Sequence, residues 1–203
     1  MIRIIDYGLG NVQAFLNTYK RLGIPAGRAE NPAALDGASH VILPGVGAFD
    51  HAMDLFEQSG FRAPMERLIA TTDLRVLGVC VGMQMLAEGS DEGKRPGLGW
   101  VPGMVRKIDT LESAKRLPMP HMGWNDVEAQ GDGRLFRGLD DLRFYFLHSY
   151  YFECRNKDQI LATTEYGQRF SCVVANEKVY GVQFHPEKSH HWGQALLCNF
   201  ATI

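Results

Sequence analysis

The sequence lacks the cysteine spacing of a metal site or a disulfide framework. Its four cysteines are scattered and include no C-x-x-C pair: they are Cys80, Cys154, Cys172 and Cys198. This distribution argues against structural zinc and against a small disulfide-stapled fold. It indicates free thiols in a reducing compartment, so we expect a cytoplasmic protein without a metal or another cofactor.

Long runs of one charge and long apolar runs are also missing. The 203 residues carry 21 basic and 23 acidic side chains, a formal net charge of −2, and no basic cluster suggests a nucleic-acid surface. Residues 1–6 are a short strand-like run that enters a glycine turn, which is typical of neither a signal peptide nor a membrane span. We therefore expect neither nucleic acid nor a membrane among the partners.

The first half of the sequence alternates strand and helix signals. Short apolar runs at Ile2–Ile5 and Val41–Leu43 are each followed by a glycine turn and an apolar helical stripe. The alternation predicts one α/β domain, residues 1–203, with a mainly parallel sheet covered by helices on both faces. In such sheets the catalytic loops lie at the carboxyl ends of the strands.

The second half is predicted to be richer in strands, separated by Gly and Asp/Asn turns. The predicted strands are Val101–Ile108, Trp124–Val127, Leu142–Tyr151, Ile160–Thr164 and Val179–Phe184. A last amphipathic helix follows, with Trp192, Leu196 and Phe200 on one face. His190 and His191 are interpreted as the solvated first turn of that helix rather than as metal ligands.

Cys80 lies at a sharp turn between a predicted strand and a predicted helix. Val76–Val79 suits a buried strand, and helical spacing resumes over residues 83–87. Gly78 and Gly82 allow the backbone to pass close to itself, so that the Cys80 side chain projects away from the sheet. Unpaired N–H groups at a helix N-terminus stabilise a thiolate. For a motif this short, a buried and inert core thiol is the alternative interpretation.

A loop with two glycines, Pro44–Phe49, directly follows the buried strand Val41–Leu43. Such a loop can turn peptide N–H groups into a cavity, which suits the stabilisation of an oxyanion. A simple tight turn explains the loop equally well. Because this loop and the Cys80 turn both follow predicted parallel strands, we expect them to share one crevice.

The segment Gly181–Ser189 contains a second group of reactive side chains. Pro186 pushes His185 into an extended conformation, and residues two apart in extended chain point the same way. Glu187 is therefore predicted to lie beside His185, where it can hold one imidazole nitrogen protonated and direct the other at a thiol. That is the arrangement of orienter, base and nucleophile used in covalent acyl transfer.

The segment Pro118–Asn125 is rigid and apolar, with an exposed Met and Trp expected near the crevice. Such residues favour a surface that binds a partner protein. A loop packed back onto the core is equally compatible with the pattern. The run Tyr145–Tyr150 is predicted to be mostly core strand, with a polar end that lines the pocket.

These motifs together resemble a known family. G-V-C-V-G-M-Q at Gly78–Gln84 and F-H-P-E at Phe184–Glu187 are similar to the class I (triad) glutamine amidotransferases. Other segments resemble one branch, the glutaminase subunits of imidazole glycerol phosphate synthase: D-Y-G-L-G-N, P-G-V-G-A-F, P-H-M-G-W-N, Y-F-L-H-S-Y and H-P-E-K-S. The similarity extends over essentially the whole chain. It implies a three-layer α/β fold with a smaller antiparallel β portion in the second half.

The resemblance implies a role for each matching residue. Cys80 is expected to be the nucleophile, His185 the general base and acid, and Glu187 the group that orients His185. The oxyanion hole and substrate pocket are expected to use Gly45, Val46, Gly47, Val81, Gln84, Ser149 and Tyr150. The first four would act through backbone N–H groups, Gln84 through its side chain, and the last two mainly through their backbone.

The resemblance also implies a partner and a pathway. In this family the glutaminase forms a heterodimer with a (β/α)₈-barrel synthase subunit. Ammonia released from L-glutamine passes through a tunnel to the partner, which forms imidazole glycerol phosphate and aminoimidazole carboxamide ribotide in histidine biosynthesis. The Pro44–Phe49 loop is a candidate for the regulatory switch between the two subunits.

The alternatives concern the acceptor and the activity. Val81 stands where leucine is expected, and Pro96–Trp100 and Ser189–Gly193 resemble a paralogous group that supplies ammonia for amidation of a surface-polysaccharide sugar. A cysteine peptidase or hydrolase on the same fold would have no need of Gln84 or a partner-facing loop. A non-catalytic binding subunit is the remaining alternative, and the intact cysteine, histidine and glutamate argue against it.

Overall fold

The computed structural model describes residues 1–108, 117–130 and 133–203. The helices of these residues are α1 (Val12–Arg21), α2 (Phe49–Gln58), α3 (Arg62–Thr71), α4 (Val81–Gln84) and α5 (His190–Phe200). The strands of the first half are β1 (Ile2–Ile5), β2 (Ala26–Ala29), β3 (His40–Gly45) and β4 (Arg75–Cys80). Those of the second half are β5 (Gly103–Lys107), β6 (His121–Asp126), β7 (Glu128–Ala129), β8 (Arg143–His148), β9 (Tyr150–Cys154), β10 (Ile160–Tyr166), β11 (Gln168–Asn176) and β12 (Val179–Val182).

The central sheet has a parallel half and an antiparallel half. Its order is β2-β1-β3-β4-β12-β11-β10-β7, and the pairs from β2 to β12 are all parallel. From β12 onward the pairing is antiparallel, with β9 and β5 attached beside β11. The parallel β3, β4 and β12 therefore end side by side, with Gly45 opposite Cys80.

Helices cover both faces of the parallel half. The connection from β1 to β2 moves one way across the sheet, and the connection from β3 to β4 moves the other way. Because such crossovers are right-handed, α1 lies on one face and α2 and α3 lie on the opposite face. Helix α5 packs beside α1 on the same face, and the Tyr19 hydroxyl of α1 donates to the Leu197 carbonyl of α5 at 3.3 Å. The predicted α/β architecture is confirmed.

The second half differs from its prediction in where the strands begin and end. The predicted strand Leu142–Tyr151 is two strands that meet at Ser149, because β8 pairs with β6 in a separate two-stranded sheet while β9 pairs with β5 and β11. Strand β6 begins at His121 rather than at the predicted Trp124. Three strands, β2, β7 and β11, have no counterpart in the prediction; β2 reads Ala-Gly-Arg-Ala and owes its extended form to pairing with β1.

The helix after Cys80 is shorter than the spacing of residues 83–87 predicts. It consists of the single turn α4, because the carbonyls that follow are bonded by a neighbouring segment instead of by a further helical turn. Met85 O accepts from Leu98 N at 2.8 Å, and Ala87 O accepts from Gly99 N at 2.9 Å. Residues 85–87 are nevertheless fully buried.

Pro118–Asn125 is partly buried and partly exposed. Within β6 the side chains alternate, so that His121 is buried while Met122 is 64% exposed and Trp124 is 36% exposed. One face therefore packs on the core and the other faces solvent. Within the described part of the chain, every helix is too short or too polar to span a lipid bilayer.

Candidate active site

Cys80 occupies a strained turn at the carboxyl end of β4. Its backbone has φ +56° and ψ −114°, a conformation that residues other than glycine rarely adopt. Such outliers cost on the order of 1–3 kcal/mol and persist where the surrounding structure enforces them. The strain is consistent with the predicted elbow, in which the thiol is presented at the top of the sheet.

Close packing of glycines enforces this turn. A Cβ atom on Gly82 would overlap the Leu43 carbonyl oxygen, and a Cβ atom on Gly45 would overlap the Gly82 nitrogen. A Cβ atom on Gly78 would also meet the backbone of Gly82. The prediction that the positions flanking Cys80 must be small is therefore confirmed.

His185 and Glu187 form a buried ion pair. His185 Nδ1 lies 2.8 Å from Glu187 Oε1, and the two side chains are 5% and 4% exposed. The extended conformation predicted for this segment holds for His185 but not beyond it, since Pro186–Lys188 is a single 3₁₀ turn. The turn, rather than extended chain, brings the carboxylate back to the imidazole.

His185 and Cys80 line the same cavity and interact electrostatically. Burial lowers the pKa of His185, but the interactions with Cys80 and Glu187 outweigh it and raise the pKa from 6.5 to about 10. Because this value lies well above neutral pH, the imidazole is protonated there. A protonated ring at this position can donate a proton to a group bound in the cavity.

Cys80 and His185 line a cavity of about 290 Å³. Of the predicted site residues, the cavity wall includes Cys80, His185, Val46, Gly47, Val81, Gln84, Ser149 and Tyr150. Gly45 and Glu187 are not part of the wall; Gly45 pairs with Cys80 in the sheet, and Glu187 lies behind His185. Residues from both halves of the chain thus meet at one crevice, at the carboxyl ends of β3, β4 and β12.

Comparison with known proteins agrees with this geometry. Residues 3–202 match the family model described as glutamine amidotransferase class-I. The chain is 58% identical over 204 residues to the imidazole glycerol phosphate synthase subunit HisH of Bdellovibrio bacteriovorus, covering 100% of both chains. It is 45% identical to the HisH subunit of Leptospira interrogans, again over the full length of both. This chain belongs to the class I glutamine amidotransferases, in their HisH branch.

Solved structures show the same fold at lower sequence similarity. A crystal structure of a glutamine amidotransferase superposes with a TM-score of 0.76 at 21% identity, covering 100% of both chains. A glutamine amidotransferase from Thermotoga maritima has a TM-score of 0.63 at 20% identity, covering 92% of this chain and 75% of that one. At these identities the comparison establishes the architecture alone.

The side chain of Gln84 is held in place by hydrogen bonds at the cavity wall. Its Nε2 donates to Tyr150 O and to Gln183 Oε1, each at 3.1 Å. Gln183 Nε2 in turn lies 4.0 Å from Cys80 Sγ. Gln84 is therefore anchored between β9 and the segment after β12, with its side chain forming part of the pocket wall.

The sequence did not predict every residue that lines this amidotransferase pocket. Glu92 lines the cavity, and its Oε2 accepts from Phe49 N at 2.9 Å at the start of α2. Lys188 also lines it, with Nζ 5.9 Å from the Tyr145 ring centroid. Lys188 directly follows the H-P-E motif, which could have indicated it. Glu92 lies in a polar loop without any motif, so no sequence signal was available.

Proposed function

We propose that Cys80, His185 and Glu187 hydrolyse the side-chain amide of L-glutamine. The observation that carries the proposal is the position of His185, which bonds Glu187 through Nδ1 and lines the same cavity as Cys80, a cavity wide enough for an amino acid. Glu187 keeps Nδ1 protonated and fixes the ring. Only the remaining nitrogen can then exchange a proton with the sulfur or the substrate.

This arrangement supports a reaction in two steps, formation of a thioester and then its hydrolysis. The Cys80 thiolate attacks the amide carbon, and the His185 imidazolium gives its proton to the departing nitrogen, which leaves as ammonia. A thioester between Cys80 and the γ-carbonyl remains. Neutral His185 then removes a proton from water as the water attacks the thioester, which releases glutamate and restores the thiolate–imidazolium pair.

The Pro44–Phe49 loop supplies the oxyanion hole in this proposal. Val46, Gly47 and Val81 line the cavity beside Cys80, and Gly47 has φ +85°, so the loop can turn its peptide groups without strain from a side chain. Removing one oxyanion donor costs about 10²–10³ in rate. Because the loop is exposed, a partner that reorients it would switch the glutaminase on.

Glu92 suits the α-ammonium group of glutamine. It brings a carboxylate to the cavity wall, and the bond from Phe49 N holds that carboxylate in place. Ser149 and Tyr150, at the break between β8 and β9, present backbone polar groups to the same ligand.

We further propose that a (β/α)₈-barrel synthase subunit covers the mouth of this pocket. Val46 and Leu147 line the pocket and are exposed. Met122, which pairs with Leu147 between β6 and β8, is also exposed, as are Met119 and Trp124 in the same segment. We call these residues the docking face. Apolar side chains of this size are typical of the centre of a protein interface. Ammonia released under such a cover would reach the partner without entering solvent.

The acceptor proposed here is the histidine-pathway intermediate that yields imidazole glycerol phosphate, as the names of the relatives suggest. Residues 1–203 would act as one amidotransferase domain, and four free cysteines suit a reducing cytoplasm. Amidation of a surface-polysaccharide sugar is the second candidate, favoured by the Pro96–Trp100 and Ser189–Gly193 segments.

The test is to co-purify the chain with the proposed barrel subunit and to supply glutamine labelled with ¹⁵N at the amide. We expect glutamate release that accelerates when the partner holds its own substrate, and ¹⁵N in imidazole glycerol phosphate. Equal rates with and without the loaded partner would reject the loop switch. Label in an amidated sugar would select the second acceptor, and turnover of peptides instead of glutamine would reject the glutaminase.

A further inference from the structure

Two buried histidines outside the proposed triad face each other across the small sheet. His121 in β6 is opposite His148 in β8, and the two are 2% and 6% exposed. His121 Nδ1 lies 2.9 Å from His148 Nε2. The His121 ring stacks on Tyr166 and Phe146, with centroids 4.0 Å and 4.8 Å away. A phenylalanine would suit such apolar surroundings better, so the imidazoles call for a separate explanation.

The partners at the two ends fix which nitrogens carry hydrogen. His148 Nδ1 lies 2.8 Å from Tyr150 O, and a carbonyl can only accept, so Nδ1 is protonated. Asn125 Nδ2 donates to Glu165 O at 2.9 Å, which fixes the orientation of that amide. The same Nδ2 lies 3.2 Å from His121 Nε2 and donates to it.

Both rings are neutral in this arrangement. Burial lowers the pKa of His121 to about 4 and the pKa of His148 to about 3. Each ring therefore carries one proton, on Nδ1, and accepts a hydrogen bond at Nε2. The bonds run in one direction, from Asn125 through His121 and His148 to the Tyr150 carbonyl.

The Tyr150 carbonyl connects this series of hydrogen bonds to the amidotransferase pocket. Tyr150 O also accepts from Gln84 Nε2 at 3.1 Å, and Gln84 is linked through Gln183 to Cys80. The carbonyl oxygen of Leu147, three residues earlier, lies 3.8 Å from Cys80 Sγ. The segment Leu147–Tyr150 thus contacts both the nucleophile and the pocket wall.

We propose that His121 and His148 are positioning residues that hold the Leu147–Tyr150 segment and Gln84 in the conformation that binds glutamine. This inference rests on the glutaminase function proposed above. His148 ties the Tyr150 carbonyl across the break between β8 and β9, and His121 holds the His148 ring so that its Nδ1–H points at that carbonyl. Neither ring exchanges a proton with the substrate.

Two substitutions at His121 separate positioning from packing. His121→Phe keeps an aromatic ring against Tyr166 and Phe146 but removes the donor to His148. His121→Asn loses the ring but places an amide N–H close to the position of the imidazole Nδ1. Val127→Ala creates a cavity at a buried residue just beyond β6, so it serves as a control for a loss of stability alone.

The kinetics are measured on the complex with the barrel subunit, well below each variant's unfolding temperature. We expect His121→Phe to raise the KM for glutamine about tenfold with kcat within about threefold of wild type, and His121→Asn to restore most of the KM. Val127→Ala should leave both parameters unchanged. A wild-type KM in His121→Phe, or equal KM increases in all three variants, would overturn the inference.

Nitrogen NMR of the ¹⁵N-histidine-labelled wild-type chain supplies a readout that needs neither activity nor a variant. At pH 7 we expect His121 and His148 to be neutral with hydrogen on Nδ1, and a through-bond coupling to join Nδ1 of the first to Nε2 of the second. Hydrogen on Nε2 of His148, or a charged ring, would contradict the positioning role. Absence of glutaminase activity in the wild-type complex would instead refute the proposed function while leaving this measurement intact.

Discussion

Cys80 and His185 are each held in a state that they would not adopt in an unfolded chain. Cys80 has a positive φ, and His185 keeps a proton although burial alone would remove it. Glu187 is central to the second effect, since its Oε1 bonds His185 and its side chain is only 4% exposed. Because the carboxylate is buried beside the ring, its charge stabilises the imidazolium.

Glu187→Gln tests that role. Glutamine retains a hydrogen-bond acceptor but carries no charge, so the pKa of His185 should fall from about 10 toward its ordinary value. We expect the alkaline limb of the rate profile to move to lower pH and kcat to fall about 10²- to 10⁴-fold. Glu66→Gln, which removes a surface partner of Arg62, is the matched control. An alkaline limb that stays in place in Glu187→Gln would refute the assignment.

The elbow is a property of three backbone segments packed together rather than of one motif. β3 ends against α4, and the glycines at the contact leave no room for a side chain. The β3 loop and the nucleophile therefore hold a fixed spacing, which an oxyanion hole requires.

Gly82→Ala should disturb that spacing. The added methyl group would overlap the Leu43 carbonyl oxygen, and overpacking of this kind costs about 1–3 kcal/mol of unfolding free energy. We expect a lower urea midpoint together with a loss of glutaminase rate. Gly133→Ala, where a Cβ meets open space, should change neither. Wild-type stability and rate in Gly82→Ala would show that the contact is looser than described.

Local patterns were sufficient to predict some elements and insufficient for others. The apolar runs of β1, β3 and β4 and the turn at Cys80 each depend on residues that are adjacent in the sequence. The break between β8 and β9 does not, because it arises when one apolar run is divided between two sheets. The single turn of α4 likewise depends on Leu98 and Gly99, which bond the carbonyls that a longer helix would use.

The same distinction applies to the site. Cys80, His185 and Glu187 could be proposed from the sequence because each lies in a short motif whose chemistry depends on adjacent residues. Glu92 and the buried state of His121 were missed because they depend on which distant segments come together. Contacts between residues that are far apart in the sequence cannot be identified until the fold is known.

At the scale of the whole molecule, the buried histidines set how stability varies with pH. The pKa values of His121 and His148 are depressed in the fold, so the unfolded chain binds their protons first as the pH falls below 6.5. By pH 5 each histidine should lower the unfolding free energy by up to about 2 kcal/mol relative to neutral pH. His185 has the opposite sign, because its raised pKa contributes stability that is present below 6.5 and lost toward pH 10.

Urea unfolding at pH 7 and pH 5 measures this effect. We expect wild type to lose more unfolding free energy between the two conditions than the double variant His121→Phe/His148→Phe, in which neither group titrates. The difference isolates the two histidines, since every other titrating group is shared. Equal losses in the two proteins would show that these rings are already protonated in the folded state.

The docking face provides a second prediction at this scale. Met122→Lys places a charge at a residue that is 64% exposed, so the free subunit should fold normally. In the complex the lysine would be desolvated, and we expect partner affinity to fall at least about tenfold in a calorimetric titration. Gln58→Lys, at the far end of α2, adds the same charge away from the face and should bind as wild type. Unchanged affinity of Met122→Lys would place the partner elsewhere.

The central claim is that one of four cysteines is the nucleophile, and an electrophilic analogue of glutamine tests it most directly. The complex is treated with a chloroketone derivative of glutamine, digested, and analysed by mass spectrometry for the modified peptide. We expect stoichiometric label on Cys80, none on Cys154, Cys172 or Cys198, and neither label nor glutamine hydrolysis in Cys80→Ser. Label on another cysteine, or hydrolysis that survives in Cys80→Ser, would contradict it.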